Sequence, residues 1–215
     1  MDVSLANLRQ NYTLAGLSIA DVKSDPFEQF KIWFQQAYDA NLIEPNAMTL
    51  ATATPDGKPS ARIVLLKGIN QQGFVFYTNY QSQKGKELIA NPQAALVFLW
   101  HSLERQVRIE GKVEQLPIAE SLAYFHSRPK SSQLGAWASD QSQVIGDRAI
   151  LEQKLTALEA QYGEDATIPL PPHWGGFCVI PKRIEFWQGR PNRLHDRLVY
   201  DLQADGDWQI QRLAP

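Results

Sequence analysis

The sequence has few of the residues and segments that mark secreted or membrane proteins. Its 215 residues include one cysteine, Cys178, so no intramolecular disulfide can form, which suits a reducing compartment. No stretch approaches the ~18 apolar residues of a membrane span. The N-terminal residues lack the apolar core of a signal peptide and carry Asp2 early. We therefore expect a cytoplasmic protein that does not associate with membranes.

Several catalytic motifs are also missing. There is no G-x-G-x-x-G dinucleotide fingerprint and no G-x-x-x-x-G-K-[ST] phosphate loop. Neither H-E-x-x-H nor G-x-S-x-G occurs, and the 4 histidines are scattered, so we expect no metal site and no serine nucleophile. A formal net charge of −2 gives the whole molecule no electrostatic footprint for nucleic acid. An anion site must therefore come from local clusters among the 21 lysines and arginines.

The hydrophobic pattern predicts a mainly β chain with peripheral helices. Residues 1–24 lack periodicity and are expected to form a mobile arm, followed by one domain over residues 25–215. About seven or eight strands are predicted, over 47–54, 60–67, 73–79, 94–101, 105–116, 176–188, 193–202 and 207–215. Helices are predicted over 24–42, 82–92, 117–128, 131–139 and 147–163. Strands and helices do not alternate regularly, which favours an antiparallel barrel whose closure hides the strand edges.

The segment 193–197 combines two arginines with a histidine. In an extended strand Arg193, His195 and Arg197 would share a face, with roughly 7 Å between successive side chains. Such a face favours an anion, because cationic groups otherwise repel one another. Imidazole is the side chain whose ordinary pKa lies nearest neutrality, so His195 is interpreted either as a proton handler or as a hydrogen-bonding contact alone. The competing interpretation is a solvated outer strand face.

Basic side chains also bracket an apolar run and the start of a predicted helix. Arg62 and Lys67 would fall on opposite faces of a regular strand, roughly 16 Å apart. Thr78, Ser82 and Lys84 lie where a strand leads into a helix, a geometry that suits a phosphate. The competing interpretations are exposed strand ends and an ordinary helix cap.

A fourth cluster follows helical spacing. Tyr124, Arg128 and Ser132 are separated by four residues each, although Pro129 is expected to bend the helix. A phenol, a guanidinium and a hydroxyl can together hold one phosphate. The competing interpretation is a helix C-terminus that carries an arginine. Together the four clusters predict two separate anion sites.

These segments resemble the pyridoxine (pyridoxamine) 5′-phosphate oxidase family. The likeness runs through RIVLLK, YTN followed by SQK, the segment 124–132, Gln141-Ser142, EFWQGRPNRLHDR and the closing RLAP. It implies a split β-barrel that binds FMN, normally at the interface of a homodimer. It also implies FMN-dependent oxidation of pyridoxamine 5′-phosphate or pyridoxine 5′-phosphate by dioxygen, giving pyridoxal 5′-phosphate and hydrogen peroxide.

The resemblance assigns roles to particular residues. The implied FMN contacts are Arg62, Ile63, Val64, Leu65, Leu66, Lys67, Tyr77, Thr78, Lys84, Gln106, Gln141, Ser142, Trp187 and Arg197. The implied substrate contacts are Lys67, Tyr124, Arg128, Ser132, Arg193, Leu194 and His195, together with Arg9 and Tyr12 on a lid formed by the N-terminal arm. Arg193 and His195 would be the catalytic pair at the reacting carbon.

One position departs from the family pattern, and two other functions stay open. Gln83 stands where the family often has arginine, which predicts weaker FMN affinity with more of the charge carried by Arg62 and Lys84. An FMN reductase with a nicotinamide donor would leave the segment 124–132 without a role. A non-catalytic protein that binds flavin or a vitamin B6 phosphate is the alternative of a different class.

Overall fold

The computed structural model describes residues 10–163 and 166–215 and divides the chain into two compact units. In the described residues, unit 1 comprises 10–50, Ala95–Gly111 and Pro181–Pro215, and unit 2 comprises Ala51–Ala94 and Lys112–Ile180. The predicted substrate contact Arg9 lies outside the described residues. The division into an arm over 1–24 and one domain over 25–215 stays a prediction.

The described residues form nine strands and five helices. The strands are β1 (Ala47–Ala53), β2 (Pro59–Leu65), β3 (Gly68–Ile69), β4 (Phe74–Asn79), β5 (Gln93–Trp100), β6 (Arg105–Gln115), β7 (Trp174–Gln188), β8 (Asp196–Leu202) and β9 (Trp208–Leu213). The helices are α1 (Pro26–Asp39), α2 (Gln83–Ala90), α3 (Ile118–Ser127), α4 (Lys130–Ala138) and α5 (Ala149–Tyr162). Short 3₁₀ turns cover Ile19–Asp21, His101–Leu103 and Pro191–Arg193. The predicted mainly β class with peripheral helices is confirmed.

The strands follow the order β2-β1-β5-β6-β7-β4-β3, with β8 on β7 and β9 on β8. In unit 2, β4 pairs antiparallel with β7 from Phe74↔Val179 to Asn79↔Trp174. In unit 1, β8 pairs antiparallel with both β7 and β9. The chain turns between β1 and β2 at Gly57, which takes the positive φ of 84° that such a turn favours.

Local capping explains where two of the helices begin. The Asp25 carboxylate accepts a hydrogen bond of 2.8 Å from the Phe27 N–H, and Pro26 occupies the first helical turn of α1. The Ser82 hydroxyl accepts one of 3.2 Å from the Gly85 N–H at the start of α2. A Cβ at Gly85 would lie 2.4 Å from the Tyr80 carbonyl oxygen, so only glycine lets α2 start this close to the end of β4.

The predicted bend at Pro129 is a complete break between α3 and α4. Arg128 takes an extended backbone (φ −79°, ψ 151°), as expected of a residue that precedes proline. The buried core beside this break contains Phe125, Leu134, Ile168 and Trp174, and the apolar face of α5 packs against it through Leu155, Leu158 and Tyr162.

The predicted strand over 193–202 is wrong in its first three residues. A 3₁₀ turn covers Pro191–Arg193, and β8 begins only at Asp196. Asn192 (φ 58°) and Arg193 (φ 62°) both adopt the left-handed conformation, which lets the chain reverse between β7 and β8. Arg193, His195 and Arg197 therefore do not alternate along one strand face. No helix in the described part of the chain is long and apolar enough to cross a membrane.

Candidate functional site

Unit 2 contains a cavity of about 540 Å³. Twelve of the predicted site residues line it: Arg62, Ile63, Val64, Leu65, Lys67, Tyr77, Thr78, Lys84, Tyr124, Arg128, Ser132 and Gln141. Leu66 is buried away from it, and Ser142 lies outside its lining with a left-handed backbone. Strand β2 ends at Leu65, so Lys67 is not on the strand that carries Arg62, and the expected opposite-face arrangement is wrong. Both cations line the same cavity.

The cavity is strongly cationic. Arg62, Lys67, Lys84 and Arg128 line it, and no aspartate or glutamate is among the described residues of its wall. Burial and the nearby charge of Arg62 lower the pKa of Lys84. A space lined by four cations without a carboxylate is suited to an anionic ligand.

Arg128 has the most informative hydrogen-bonding state in the cavity. Its Nη1 atom is buried and has no hydrogen-bond partner among the described residues. Its guanidinium carbon lies 4.8 Å from the centroid of the Trp174 ring, within cation–π range. Burial lowers the pKa of Arg128. A buried N–H donor of this kind is normally satisfied, so the geometry leaves a place for a ligand oxygen.

The end of β4 and the start of α2 bring a second set of polar groups into the cavity. The Lys84 Nζ atom lies 3.3 Å from Thr78 Oγ1 and 3.1 Å from Gln141 Oε1. The Thr78 hydroxyl also donates to Gln141 Oε1 at 3.2 Å. The ammonium and hydroxyl groups therefore meet beside the N-terminus of α2, whose dipole also favours a negative charge.

Stacked aromatic rings form one wall of the cavity. The ring centroids of Tyr77 and Tyr124 lie 3.8 Å apart, with an angle of 14° between the ring planes. Those of Tyr77 and Trp174 lie 5.4 Å apart, with an angle of 10°. Gly176 is the register partner of Tyr77, and a Cβ there would approach the Tyr77 ring to 2.8 Å. Trp174 was not among the predicted site residues; the one signal for it in the sequence is an aromatic residue directly before Gly175-Gly176.

Unit 1 brings together three other predicted site residues. The ring centroids of Trp187 and His195 lie 4.6 Å apart, and the centroid of the Tyr12 ring lies 5.8 Å from each of them. The His195 Nδ1 atom accepts a hydrogen bond of 3.0 Å from the Arg190 N–H. In the neutral ring the proton therefore resides on Nε2.

Two backbone N–H groups hold the chain just after Tyr12. The Leu14 N–H donates to Glu104 Oε2 and the Leu17 N–H donates to Asp196 Oδ2, each at 3.0 Å. A Cβ at Gly189 would lie 2.7 Å from Cγ of Tyr12, so the Tyr12 ring rests directly on a glycine. The residues that follow Tyr12 are thus held against Glu104 and Asp196 of the same unit.

The remaining predicted residues of unit 1 differ in their surroundings. Gln106 lines a cavity of about 330 Å³ together with Tyr12 and Trp187. Arg193 and Leu194 are exposed on the turn before β8. Arg197 is engaged: its Nε and Nη2 atoms donate to the buried Glu185 carboxylate at 2.8 and 3.0 Å, which raises the pKa of Arg197. Its role as an FMN contact stays a prediction.

Comparison with known proteins gives two family matches. The family model described as pyridoxamine 5′-phosphate oxidase matches residues 34–162. The model described as the pyridoxine 5′-phosphate oxidase C-terminal dimerisation region matches residues 174–215. No group of three or more metal-ligating side chains occurs among the residues that the structure describes.

Curated relatives and solved structures agree with these matches. The pyridoxine/pyridoxamine 5′-phosphate oxidase of Gloeothece citriformis is 60% identical, covering 100% of both chains. That of Salinibacter ruber is 62% identical, over 98% of this chain and 99% of its own. The structure of PhzG from Burkholderia lata, in complex with tetrahydrophenazine-1-carboxylic acid, is 30% identical with a TM-score of 0.88, covering 96% of this chain and 100% of that one. An FMN-binding, pyridoxamine 5′-phosphate oxidase-related protein of Nostoc punctiforme shares the fold, with a TM-score of 0.72 and 16% identity over 90% of this chain and 100% of that one.

Proposed function

The chain belongs to the pyridoxamine 5′-phosphate oxidase family, and from this premise we propose which of its residues hold the cofactor and which hold the substrate. It is an FMN-dependent oxidoreductase with the split-barrel fold. Its reaction converts pyridoxamine 5′-phosphate or pyridoxine 5′-phosphate into pyridoxal 5′-phosphate, with dioxygen reduced to hydrogen peroxide. Ammonia is the further product when the substrate is the amine.

One phosphate of the reaction belongs to FMN. We propose that Arg62, Lys84 and Thr78 hold it beside the N-terminus of α2, where the ammonium and hydroxyl groups already converge. Gln141 orients Lys84 and Thr78 through its Oε1 atom. Bound FMN supplies the redox chemistry, while the protein provides position and electrostatics.

The other phosphate belongs to the substrate, and the observation that carries this proposal is the unpartnered Nη1 of Arg128. We propose that Arg128 donates to the substrate phosphate together with Tyr124, Ser132 and Lys67, which line the same cavity. Gripping this remote group fixes the reacting carbon, so binding energy is used for orientation. The described wall of the cavity carries no carboxylate that would compete for the guanidinium.

Arg193 and His195 are proposed to act at the reacting carbon. The Arg190 N–H fixes the His195 ring with Nδ1 as acceptor, which leaves Nε2 to hold or move a proton. The left-handed backbone of Arg193 is a strained conformation of the kind that often occurs at functional positions. Leu194 and Tyr12 are proposed to contact the substrate beside them.

The chain acts as a homodimer, in keeping with the dimerisation region matched at residues 174–215. We propose that FMN lies at the dimer interface. We also propose a cytoplasmic location, supported by the single, buried cysteine Cys178.

The test is anaerobic bleaching of the FMN-loaded protein. Pyridoxamine 5′-phosphate or pyridoxine 5′-phosphate is expected to bleach the flavin absorbance, and air is expected to restore it. Bleaching by NADH but by neither phosphorylated substrate would favour a reductase. A flavin that stays oxidised with all three would favour a non-catalytic binding protein. Tetrahydrophenazine-1-carboxylic acid, the ligand of the PhzG structure, serves as the control compound, since it carries a carboxylate instead of a phosphate.

A further inference from the structure

A buried carboxylate lies behind one of the cations that line the cavity. Glu87 on α2 is 7% exposed and is not part of the cavity wall. Its Oε2 atom accepts a hydrogen bond of 2.6 Å from the Ser60 hydroxyl and another from the Thr52 hydroxyl. The Arg62 Nη2 atom lies 3.5 Å from the same oxygen. The carboxylate is thus the common acceptor of a cluster that ends at Arg62.

The two hydroxyl groups connect Glu87 to Arg62. Thr52 Oγ1 accepts from Arg62 Nη1 at 2.5 Å, and Ser60 Oγ accepts from Nη2 at 2.5 Å. A hydroxyl has one proton. Because each hydroxyl donates that proton to Glu87, its lone pairs are directed at the guanidinium. The carboxylate therefore sets the direction of both hydroxyls, and the hydroxyls set the orientation of Arg62.

Gln83 completes the cluster from the preceding turn of α2. Its Nε2 atom donates to Glu87 Oε1 at 2.9 Å, so both carboxylate oxygens are engaged. Burial itself raises the pKa of Glu87, but the hydrogen bonds from Ser60, Thr52 and Gln83, with the charge of Arg62, lower it to about 2. The carboxylate is therefore ionised at neutral pH. Gln83, which stands where the family often has arginine, is not part of the cavity wall. It belongs instead to the hydrogen-bond network around Glu87.

We propose that Glu87 is a positioning residue, which through Thr52 and Ser60 holds Arg62 in the orientation that contacts the phosphate of FMN. The proposal rests on the proposed function, since it requires FMN to bind at Arg62. A simple charge effect predicts the opposite sign from a positioning role. Removing a negative charge near a phosphate would tighten FMN binding, whereas losing the acceptor that orients Arg62 would weaken it.

The experiment measures the FMN dissociation constant of the full chain by quenching of FMN fluorescence. Glu87→Leu, which keeps the side-chain bulk but removes both acceptors, is expected to weaken FMN binding about tenfold. Glu87→Gln is expected to recover most of this loss, because its carbonyl can still accept from both hydroxyls once the Gln83 amide has rotated. In an Arg62→Ala background, Glu87→Leu is expected to have no further effect.

A matched control and a second variant make every outcome decisive. Glu114→Leu removes one carboxylate of unit 2 that pairs with Lys112 away from the cavity, and it is expected to leave FMN affinity unchanged. If Glu87→Leu does not fold, Ser60→Ala removes one bridging hydroxyl, with about threefold weaker binding expected. Unchanged or tighter binding in these variants, or equal effects with and without Arg62, would overturn the proposal. Failure of the wild-type chain to bind FMN would instead overturn the proposed function.

Discussion

The guanidinium of Arg128 lies against the ring of Trp174, with 4.8 Å between the guanidinium carbon and the ring centroid. An indole face stabilises the cation without occupying its N–H donors, whereas a carboxylate would occupy them. The Nη1 atom of Arg128 accordingly has no partner among the described residues. The pair keeps a buried positive charge available to an anion that arrives from solution.

Replacement of Arg128 tests the substrate phosphate site. Arg128→Ala is expected to raise KM for pyridoxamine 5′-phosphate about 10- to 100-fold, because it removes charge-assisted hydrogen bonds to the phosphate. The FMN absorbance spectrum is expected to stay unchanged. Steady-state kinetics provide the measurement, and Arg148→Ala, at an exposed arginine paired with Glu152, provides the control. A KM like that of the parent would show that Arg128 does not bind the substrate.

Replacement of Trp174 tests the support of Arg128. Trp174→Leu removes the π face and is expected to raise KM for the phosphorylated substrate about three- to tenfold. Trp174→Phe keeps an aromatic face and is expected to have a smaller effect. Trp137→Leu controls for general loosening, since that indole packs against the same core but donates to the Pro169 carbonyl oxygen outside the cavity wall. Equal effects of the leucine and phenylalanine variants would argue against a cation–π contribution.

Two substitutions at Arg193 separate chemistry from backbone strain. Arg193→Ala and Arg193→Gly are both expected to lower kcat about 100-fold while FMN stays bound, because both remove the guanidinium from the reacting carbon. Glycine adopts the observed φ of 62° without steric cost. The glycine variant is therefore expected to be about 1 kcal/mol more stable than the alanine variant. Urea unfolding measures this difference, and a more stable alanine variant would contradict it.

Acid should weaken the fold through Glu87. The folded-state pKa of this carboxyl is about 2, below its ordinary value of 4.5. Its stabilising contribution is therefore complete above about pH 4.5 and is lost as the pH falls through about 2. At pH 3 the wild-type chain is expected to have lost about 2 kcal/mol of unfolding free energy through this group. Urea unfolding of Glu87→Gln at pH 6 and pH 3 should show a correspondingly smaller loss, and an equal loss would exclude Glu87 as the source.

Restoring an arginine at position 83 tests whether this residue reaches the cofactor. The Gln83 side chain contacts Glu87, so the guanidinium of Gln83→Arg is expected to pair with that carboxylate. The FMN dissociation constant should then change less than about threefold, although a cation has been added near the phosphate. Fluorescence titration provides the measurement. A tenfold gain in affinity would show that the arginine contacts the phosphate and would support the sequence-based expectation.

Local chemistry made much of the fold predictable. Asp25 with Pro26, and Ser82 before α2, are helix-start signals that the structure confirms. Pro129 predicted a bend, and the chain breaks there because proline excludes a helical conformation at Arg128. The cationic lining of the cavity was predictable from the same segments, since the relevant cations lie beside strand ends and a helix start.

Features that depend on long-range register were not predictable. Trp174 stacks with Tyr77 because β7 pairs with β4 in a particular register, which places Gly176 opposite Tyr77. The pairing of Arg197 with Glu185 likewise depends on how β8 aligns with β7. The turn at Arg193 escaped prediction because its left-handed residues are not glycines, and only glycine signals that conformation reliably.

The Tyr12 ring packs directly on Gly189, whose side chain is a single hydrogen atom. The geometry of the loop therefore depends on position 189 having no larger side chain. A methyl group at position 189 would require the same volume as the tyrosine ring, so the two cannot coexist without displacement. The contact between the Tyr12 and His195 rings thus depends on position 189 having no side chain. Genetic variation at this glycine would displace the Tyr12 ring from Trp187 and His195 while every charged group kept its identity.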